Sequence, residues 1–543
     1  MRGFNAFTAG LIFAVAATPF RLPLRLSADP ARHSQAEQSA AFQNGLLALK
    51  ENRLESALEE FTRAEREHPA DGRVRNFRGI ALMRLGRNSE AAAEYREAIR
   101  LDPHSADAYR NLGFLEWSEG ESADARADLG RALAISPDDS FAHYYLGRAL
   151  LDAGDHAKAL DQLELTRNLW PEDASFFIRA AESEIKIGRE EEARKTIHRA
   201  ASLSPTLPQS ARIAETLVEV HEFGAAIALL RSVVAQRGPE SARWAQFDMA
   251  LAHLSAGEYA AAADDADRYM KSIPRGEGAS EEAAAWSVIG VARARESRPD
   301  ASIEAFRNAV RLDPRVEEYW LNLTRELMDV RRFPDAVAAA QDALAANPNS
   351  YALRLRLGAA YLSAGRYPEA ENAFRELVTA GDPLPTSYVG LAQVLLRTGR
   401  AEDAVAVLRS AENKLGATFL ILYFEGIALE RAAELPAAVA AYRKALQLNP
   451  KSAEAHFGLG KAQLSLGQVK ESIAELNASL SLNPESQPTR RLLSQAYRRA
   501  GDNAKAASFA QPAEEEQTIA APDLLGDFIA PDWKLPPEIP KAR

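Results

Sequence analysis

The hydrophobic positions of this 543-residue chain recur in short runs with helical spacing, and many runs end at a proline. Residues 91–101, for example, form such a run just before Pro103. Because proline lacks an amide hydrogen and stops a helix, a regular proline period of about 34 residues indicates stacked helical repeats. The closing prolines keep this period, or a multiple of it, within two series: Pro69, Pro103, Pro137, Pro171 and Pro205, then Pro314, Pro348, Pro450 and Pro484.

Two positions of the repeat hold small residues almost throughout. When the closing proline is position 32, these are positions 8 and 20, whereas position 24 is mostly bulky, as at Tyr95. Small side chains let two helices approach closely, and a larger group there would overpack the contact by about 1–3 kcal/mol. The residues predicted to pack the repeats in this way are Gly79, Ala91, Gly113, Ala125, Gly147, Ala159, Gly358, Ala370, Gly426, Ala438 and Gly460.

Position 15 is the predicted turn between the two helical runs of each repeat. It is glycine or asparagine in most repeats, as at Asn52, Gly86 and Gly120. Both residue types tolerate the left-handed conformation that ends a helix. Each repeat is therefore predicted to consist of helix A, a turn, helix B and a proline stop.

This pattern resembles the tetratricopeptide repeat (TPR), whose consensus has Gly or Ala at position 8, Ala at 20 and 27, an aromatic at 24 and Pro at 32. Residues 72–103 carry it as Gly79, Ala91, Tyr95, Ala98 and Pro103. The resemblance covers roughly residues 38–510. It implies an all-α, right-handed superhelical α-solenoid of about 14 repeats, with helix A on the concave side. Residues 207–240 depart from the pattern by a longer internal turn, and residues 385–416 lack the closing proline.

Breaks in the period define the expected domain organisation. Repeats 1–7 occupy residues 38–274 and repeats 8–14 occupy residues 283–510. Residues 275–282 between them are rich in glycine and charge, which predicts a surface loop in preference to a hinge. Residues 511–543 form a non-repeat, acidic and proline-rich tail. This tail is expected to cap the last repeat, because the apolar face at the end of a solenoid has no neighbouring repeat to bury it. The alternatives are a binding motif for a partner or an autoinhibitory latch.

The N-terminus has the features of a secretory leader. Arg2 precedes an apolar stretch, residues 9–17, that is too short to span a bilayer and ends in small residues. We therefore expect a signal peptide at residues 1–17, a linker at 18–37 and an extracytoplasmic location in a bacterium, with no membrane span after cleavage. The alternative is an uncleaved N-terminal segment that anchors the protein in the membrane.

Composition and charge exclude several classes of function. With 65 basic and 76 acidic residues the net charge is −11, which argues against a nucleic-acid-binding surface. The absence of cysteine excludes thiolate metal sites and disulfides. No two of the nine histidines have the i, i+4 spacing of a helical metal site. We therefore predict a protein without cofactor, metal or catalytic centre.

The resemblance places a partner-binding groove along the A helices, at repeat positions 2, 5, 9 and 12. Aromatic residues beside arginine at these positions are typical of protein-binding hot spots. We predict a non-catalytic scaffold that binds an extended peptide or a partner helix; the alternative is an accessory subunit of an envelope glycan-synthesis, secretion or outer-membrane assembly machine. The predicted groove residues are Phe42, Arg110, Phe114, Trp117, Phe141, Tyr144, Arg148, Arg325, Tyr423, Phe457 and Lys461.

Overall fold

A computed structural model describes residues 39–238, 240–274, 276–381 and 384–509. The expected leader, linker and tail lie outside these residues. Within the described ranges the regular elements are 28 α-helices and a 3₁₀ turn, Arg167–Leu169. The all-α solenoid predicted from the sequence is confirmed. A and B helices alternate, and consecutive helices pack against each other among the first nine and among the last eighteen, as the third does against the fourth.

The chain divides into two compact units, one ending at Thr196 and the other beginning at Ile197. This boundary lies inside helix α10. The helices up to the boundary are α1 (Ala40–Lys50), α2 (Leu54–Glu67), α3 (Gly72–Arg84), α4 (Asn88–Leu101), α5 (Ala106–Ser118), α6 (Ser122–Ile135), α7 (Ser140–Asp152), α8 (His156–Glu164), α9 (Ala174–Lys186) and α10 (Glu190–Ala201).

The second unit contains the remaining helices. Helix α15 begins at Ala279, so residues 279–282 of the expected loop form its first turn, where Glu281 and Glu282 interact favourably with the helix dipole. The helices are α11 (Leu207–Glu219), α12 (Phe223–Arg237), α13 (Arg243–Ser255), α14 (Tyr259–Ser272), α15 (Ala279–Arg295), α16 (Pro299–Leu312), α17 (Glu317–Asp329), α18 (Phe333–Ala346), α19 (Tyr351–Ser363), α20 (Tyr367–Thr379), α21 (Pro385–Arg397), α22 (Ala401–Leu415), α23 (Phe419–Arg431), α24 (Leu435–Leu448), α25 (Ala453–Ser465), α26 (Val469–Leu482), α27 (Gln487–Arg499) and α28 (Asn503–Phe509).

The turn at position 15 has the same left-handed backbone conformation in every repeat. Gly86, for example, has φ 76°, and the following amide, that of Arg87, donates to the carbonyl of Leu82 at 2.9 Å. This hydrogen bond closes the helix in a Schellman-type cap. Four repeats adopt the left-handed conformation without glycine or asparagine, which the sequence pattern did not predict: His221, Ser297, Arg331 and Ala433.

The A and B helices of a repeat cross at the glycine of position 8. A Cβ atom placed on Gly147 would lie 2.6 Å from Cγ of Leu163, the position-24 residue of the same repeat. The same approach recurs between Gly79 and Tyr95, and between Gly358 and Phe374. The alanines at position 20 that were predicted to pack the repeats are fully buried: Ala91, Ala125, Ala159, Ala370 and Ala438.

Candidate functional site

Helices α5, α7 and α9, the A helices of three consecutive repeats, share a cluster of aromatic residues in the first unit. We call it the aromatic–arginine cluster. The centres of neighbouring rings lie 4.6–6.2 Å apart, and the ring contacts continue from α5 to α9. Such tilted and edge-to-face pairs add about 0.5–1.5 kcal/mol each beyond the area they bury. Its members are Phe114, Trp117, Tyr144, Tyr145, Arg148 and Phe176.

Arg148 lies at the centre of this cluster. Its guanidinium carbon is 4.5 Å from the ring centre of Trp117 and 5.7 Å from those of Tyr144 and Phe176. Its Nη1 donates a hydrogen bond to the Tyr144 hydroxyl at 2.9 Å. Burial raises the pKa of Tyr144, although the charge of Arg148 opposes this effect, so the hydroxyl stays neutral and accepts the bond. Arg148 therefore joins three A helices across one face.

Beside the cluster, Asp152 links two neighbouring A helices. Its Oδ2 accepts a hydrogen bond from Trp117 Nε1 at 2.8 Å, and its Oδ1 accepts one from Arg179 at 2.6 Å. The indole orientation is thereby fixed by a carboxylate that is itself paired. Trp117 is half-buried, so part of its ring remains accessible at the surface of the cluster.

A buried polar row adjoins the cluster on α3, α5 and the start of α7. Arg110 Nη1 forms ion pairs with Asp107 at 2.7 Å and with Asp139 at 2.8 Å. Burial disfavours the charge of Arg110, but the two carboxylates outweigh it, so the pKa of Arg110 is raised. Asn111 Nδ2 donates to Asn76 Oδ1 at 2.9 Å and continues the row. These contacts link the three helices, although Nε of Arg110 is buried without a hydrogen-bond partner in the described structure.

The structure corrects part of the predicted groove. Phe42 is fully buried and packs against Phe61 and Phe77 at 5.8 and 5.5 Å, so it belongs to the core. Arg110 and the ring of Tyr144 are also buried, because their repeat positions face the adjoining A helix. All three residues occupy position 5, which in these repeats is an inter-repeat contact and not a groove position.

Four of the predicted groove residues are half-buried in the first unit: Phe114, Trp117, Phe141 and Arg148. Three of them belong to the aromatic–arginine cluster, and Phe141 lies at the first turn of α7. Sequence reasoning missed Tyr145 and Phe176, which occupy positions 6 and 3 of their repeats and not an expected groove position. The crowding of aromatic residues in helices α7 and α9 was the signal that could have indicated them.

The predicted residues of the second unit do not form one cluster. Lys461 forms an ion pair with Glu430, and Arg325 Nε lies 3.5 Å from Asp329 Oδ2. Tyr423 is buried and stacks on Phe419 with ring centres 5.7 Å apart. Tyr423 is thus a further correction to the predicted groove. Phe457 is half-buried among apolar residues of the last repeats.

Arg356 on α19 is a charged residue that sequence reasoning did not single out. It is 3% exposed, and its Nε has no hydrogen-bond partner in the described structure. Burial, together with the charge of Arg325, lowers the pKa of Arg356 to about 10, so the group remains protonated at neutral pH. Unlike Arg110, this buried cation has no carboxylate within ion-pair distance among the described residues.

Several buried carboxyl groups have raised pKa values. Burial, helped by the neighbouring charge of Asp128, raises the pKa of Glu116 to about 7. Burial also raises the pKa of Glu184 and of Glu326 to about 7. In the described ranges no group of three or more potential ligands is placed to hold a metal ion. None of the helices in these ranges has the length and the apolar character needed to cross a membrane.

Comparisons with known proteins find the same repeat. A tetratricopeptide repeat model matches residues 42–106, 78–140, 110–174, 144–208, 212–278, 248–317 and 321–385. Related repeat models match residues 385–410, 434–467 and 453–486. The crystal structure of yeast Tom70 aligns with 90% of this chain and 98% of its own, at 16% identity and a TM-score of 0.39.

Two curated relatives are bacterial proteins. Lipopolysaccharide assembly protein B of Escherichia coli K12 is 26% identical over 257 residues, which cover 45% of this chain and 65% of the relative. Cellulose synthase operon protein C of Pseudomonas fluorescens SBW25 is 26% identical over 178 residues, or 31% of this chain and 14% of the relative. The chain thus spans less than two thirds of either relative. Because the repeat model covers well over half of the sequence, the chain belongs to the tetratricopeptide repeat family.

Proposed function

We propose that this TPR protein is a non-catalytic interaction scaffold that binds an extended segment of a partner protein across helices α5, α7 and α9. The observation that carries the proposal is the aromatic–arginine cluster, in which side chains of three A helices form one face. Tryptophan, tyrosine and arginine are the residue types enriched at binding hot spots, because they offer large, rigid contact areas.

The dimensions of the cluster suit a short peptide. Packed helices lie about 8–10 Å apart, so three A helices span about 16–20 Å. An extended chain advances about 3.3–3.6 Å per residue, so five or six residues would cross the cluster. The half-buried rings of Phe114 and Trp117 provide apolar contact, and the fixed hydrogen bond from Trp117 to Asp152 reduces the ordering needed on binding.

The test is selection of peptides from a random display library by the purified full chain. We expect enriched peptides of five to seven ordered residues, and a loss of their binding of about tenfold or more in Trp117→Ala. Tyr351→Ala is the matched control, since Tyr351 is an exposed aromatic of A helix α19 in the other unit. Failure to enrich any peptide, or equal loss in both variants, would contradict the proposal.

A finer version of this function is that the partner belongs to an envelope polysaccharide machine. The names of the two relatives, lipopolysaccharide assembly protein and cellulose synthase operon protein, favour this version. It requires the extracytoplasmic location, or membrane anchoring, expected from the leader sequence. Fractionation of cells that produce the tagged protein, followed by crosslinking and mass spectrometry, tests it. Recovery in the cytosol with no envelope protein attached would contradict it.

A further inference from the structure

We propose that the segment bound at the aromatic–arginine cluster carries an acidic side chain whose carboxylate pairs with Arg148. This inference rests on the proposed function and specifies the chemistry of its partner. The apolar side chains beside the acidic residue would contact Phe114 and Trp117.

The first observation is that the guanidinium of Arg148 is positioned but lacks an anion. Its flat face stacks over Trp117 at 4.5 Å, and its one hydrogen bond, at 2.9 Å, goes to the neutral hydroxyl of Tyr144. No carboxylate oxygen lies within 4.0 Å of it in the described part of the chain. A guanidinium has five N–H donors in its plane, so stacking and one hydrogen bond leave most of them available.

The second observation is that the neighbouring arginines of the same face are already neutralised. Arg110 pairs with Asp107 and Asp139, and Arg179 bonds to Asp152 at 2.6 Å. Neither of them needs an external anion. Arg148 is therefore the cation of this face whose charge the protein does not balance by direct contact among the described residues.

The third observation concerns the surroundings of Arg148. Because it is half-buried among rings, water screens its charge less than at an open surface, and an anion brought to it gains more from the pairing. Stacking also fixes the guanidinium plane, so less side-chain entropy is lost when a carboxylate binds. A planar carboxylate can accept two parallel hydrogen bonds from such a group.

A phosphorylated side chain would also offer negatively charged oxygen acceptors to Arg148, so the test must distinguish a phosphate group from a carboxylate. One guanidinium can neutralise only one of the nearly two charges of a phosphate group at neutral pH. Arg110, Arg167 and Arg179, which lie near the cluster, are each paired with a carboxylate and so are not available for the second charge. A carboxylate of single charge is therefore the matching ligand.

The experiment uses the full chain and the peptides it selects from a random display library. We expect the wild type to enrich Asp or Glu beside apolar residues. Arg148→Gln should lose the acidic preference while it keeps the apolar one, since Trp117 remains. Arg126→Gln is the matched control, because it removes the same charge from helix α6, where Arg126 bonds to the carbonyl of Ser122.

The affinity of one selected peptide is then measured in a double-mutant cycle. Replacing its acidic residue by the amide isostere should weaken binding to the wild type by about 10–30-fold and leave binding to Arg148→Gln unchanged. Selected peptides without an acidic residue would overturn this inference and leave the proposed function standing, whereas no selection at all would remove the proposed function. Equal loss in Arg126→Gln would show that general charge attraction, and not Arg148, selects the peptide. Tighter binding of a phosphoserine version would overturn the choice of a carboxylate.

Discussion

Replacing Gly147 by alanine should destabilise the first unit, although alanine is the better helix former. The added Cβ would lie 2.6 Å from Cγ and 2.9 Å from Cδ2 of Leu163, and 3.1 Å from the carbonyl oxygen of Ala159. Normal carbon contacts are about 3.5–4.0 Å, so Leu163 would have to move by about 1 Å. The carbonyl of Ala159 is part of the α8 backbone and cannot move separately from that helix.

Gly130 provides the matched control within the same unit. It lies inside helix α6, and a Cβ placed on it would meet no atom within 4 Å. Both substitutions gain about 1 kcal/mol from helix propensity. Only Gly147→Ala also incurs overpacking of about 1–3 kcal/mol. The propensity gain cancels in the comparison, so the two variants should differ in unfolding free energy by about 1–3 kcal/mol, with Gly130→Ala the more stable.

The assay must report on the affected helices, because long repeat arrays unfold in local steps as well as globally. Native-state hydrogen exchange of the α7 and α8 amides gives the local opening free energy, and urea unfolding by circular dichroism gives the global trend. In a Leu163→Ala background the cost of Gly147→Ala should fall, because Cγ and Cδ2 of Leu163, the two nearest atoms, are gone while the carbonyl of Ala159 remains. If the α7 and α8 amides were protected from exchange equally well in Gly147→Ala and in Gly130→Ala, the packing argument would be refuted.

Three further predictions concern charge and backbone conformation. Arg110→Met should destabilise by about 3–5 kcal/mol, because it leaves the buried carboxylate of Asp139 without a countercharge. Arg356→Met should be neutral or stabilising by up to about 4 kcal/mol, and a larger loss in Arg356→Met than in Arg110→Met under thermal denaturation would contradict this. Ala433→Gly should stabilise by about 1 kcal/mol, since Ala433 has φ 62°, and an unchanged urea midpoint would speak against it. The raised pKa of Glu116 means that the folded state favours the protonated form of this carboxyl group. The free energy of unfolding that depends on Glu116 is therefore highest below about pH 4.5 and decreases as the pH rises through about 7. Glu116→Gln should therefore stabilise at pH 8 by about 1–3 kcal/mol and change little at pH 4, and equal effects at both pH values would reject the reasoning.

The fold could be predicted from the sequence because its determinants are local and repeated. The glycine at position 15 and the small residues at positions 8 and 20 each act on contacts inside their own repeat, as in the approach of Gly79 to Tyr95. Repetition over many copies made the pattern unambiguous. The exceptions at Arg331 and Ala433 show that the repeat geometry imposes the left-handed turn even where the residue disfavours it.

The candidate site was predicted less completely. Trp117 and Arg148 were placed on the A-helix face by their repeat positions, but their stacking at 4.5 Å depends on how two repeats cross. The core position of Phe42 was not predicted, because position 5 was assigned to the groove, whereas Phe42, Arg110 and Tyr144, which share this position, are all buried. Phe457 occupies the same position in a later repeat and is only half-buried, because each side chain meets different neighbours.

The sequence by itself determined the repeat, the helix pairs and the tight crossings inside each repeat. These depend on contacts between residues close in the chain, where backbone preference and side-chain volume decide the outcome. Only the tertiary structure decided which charges are paired within the protein and which are not. Arg110 reaches Asp139 at the start of the next repeat, while Arg148 stacks on Trp117 of the preceding repeat and meets no carboxylate among the described residues. That difference arises from the packing of one repeat on the next, and side-chain direction across such an interface is not encoded in the spacing of residues.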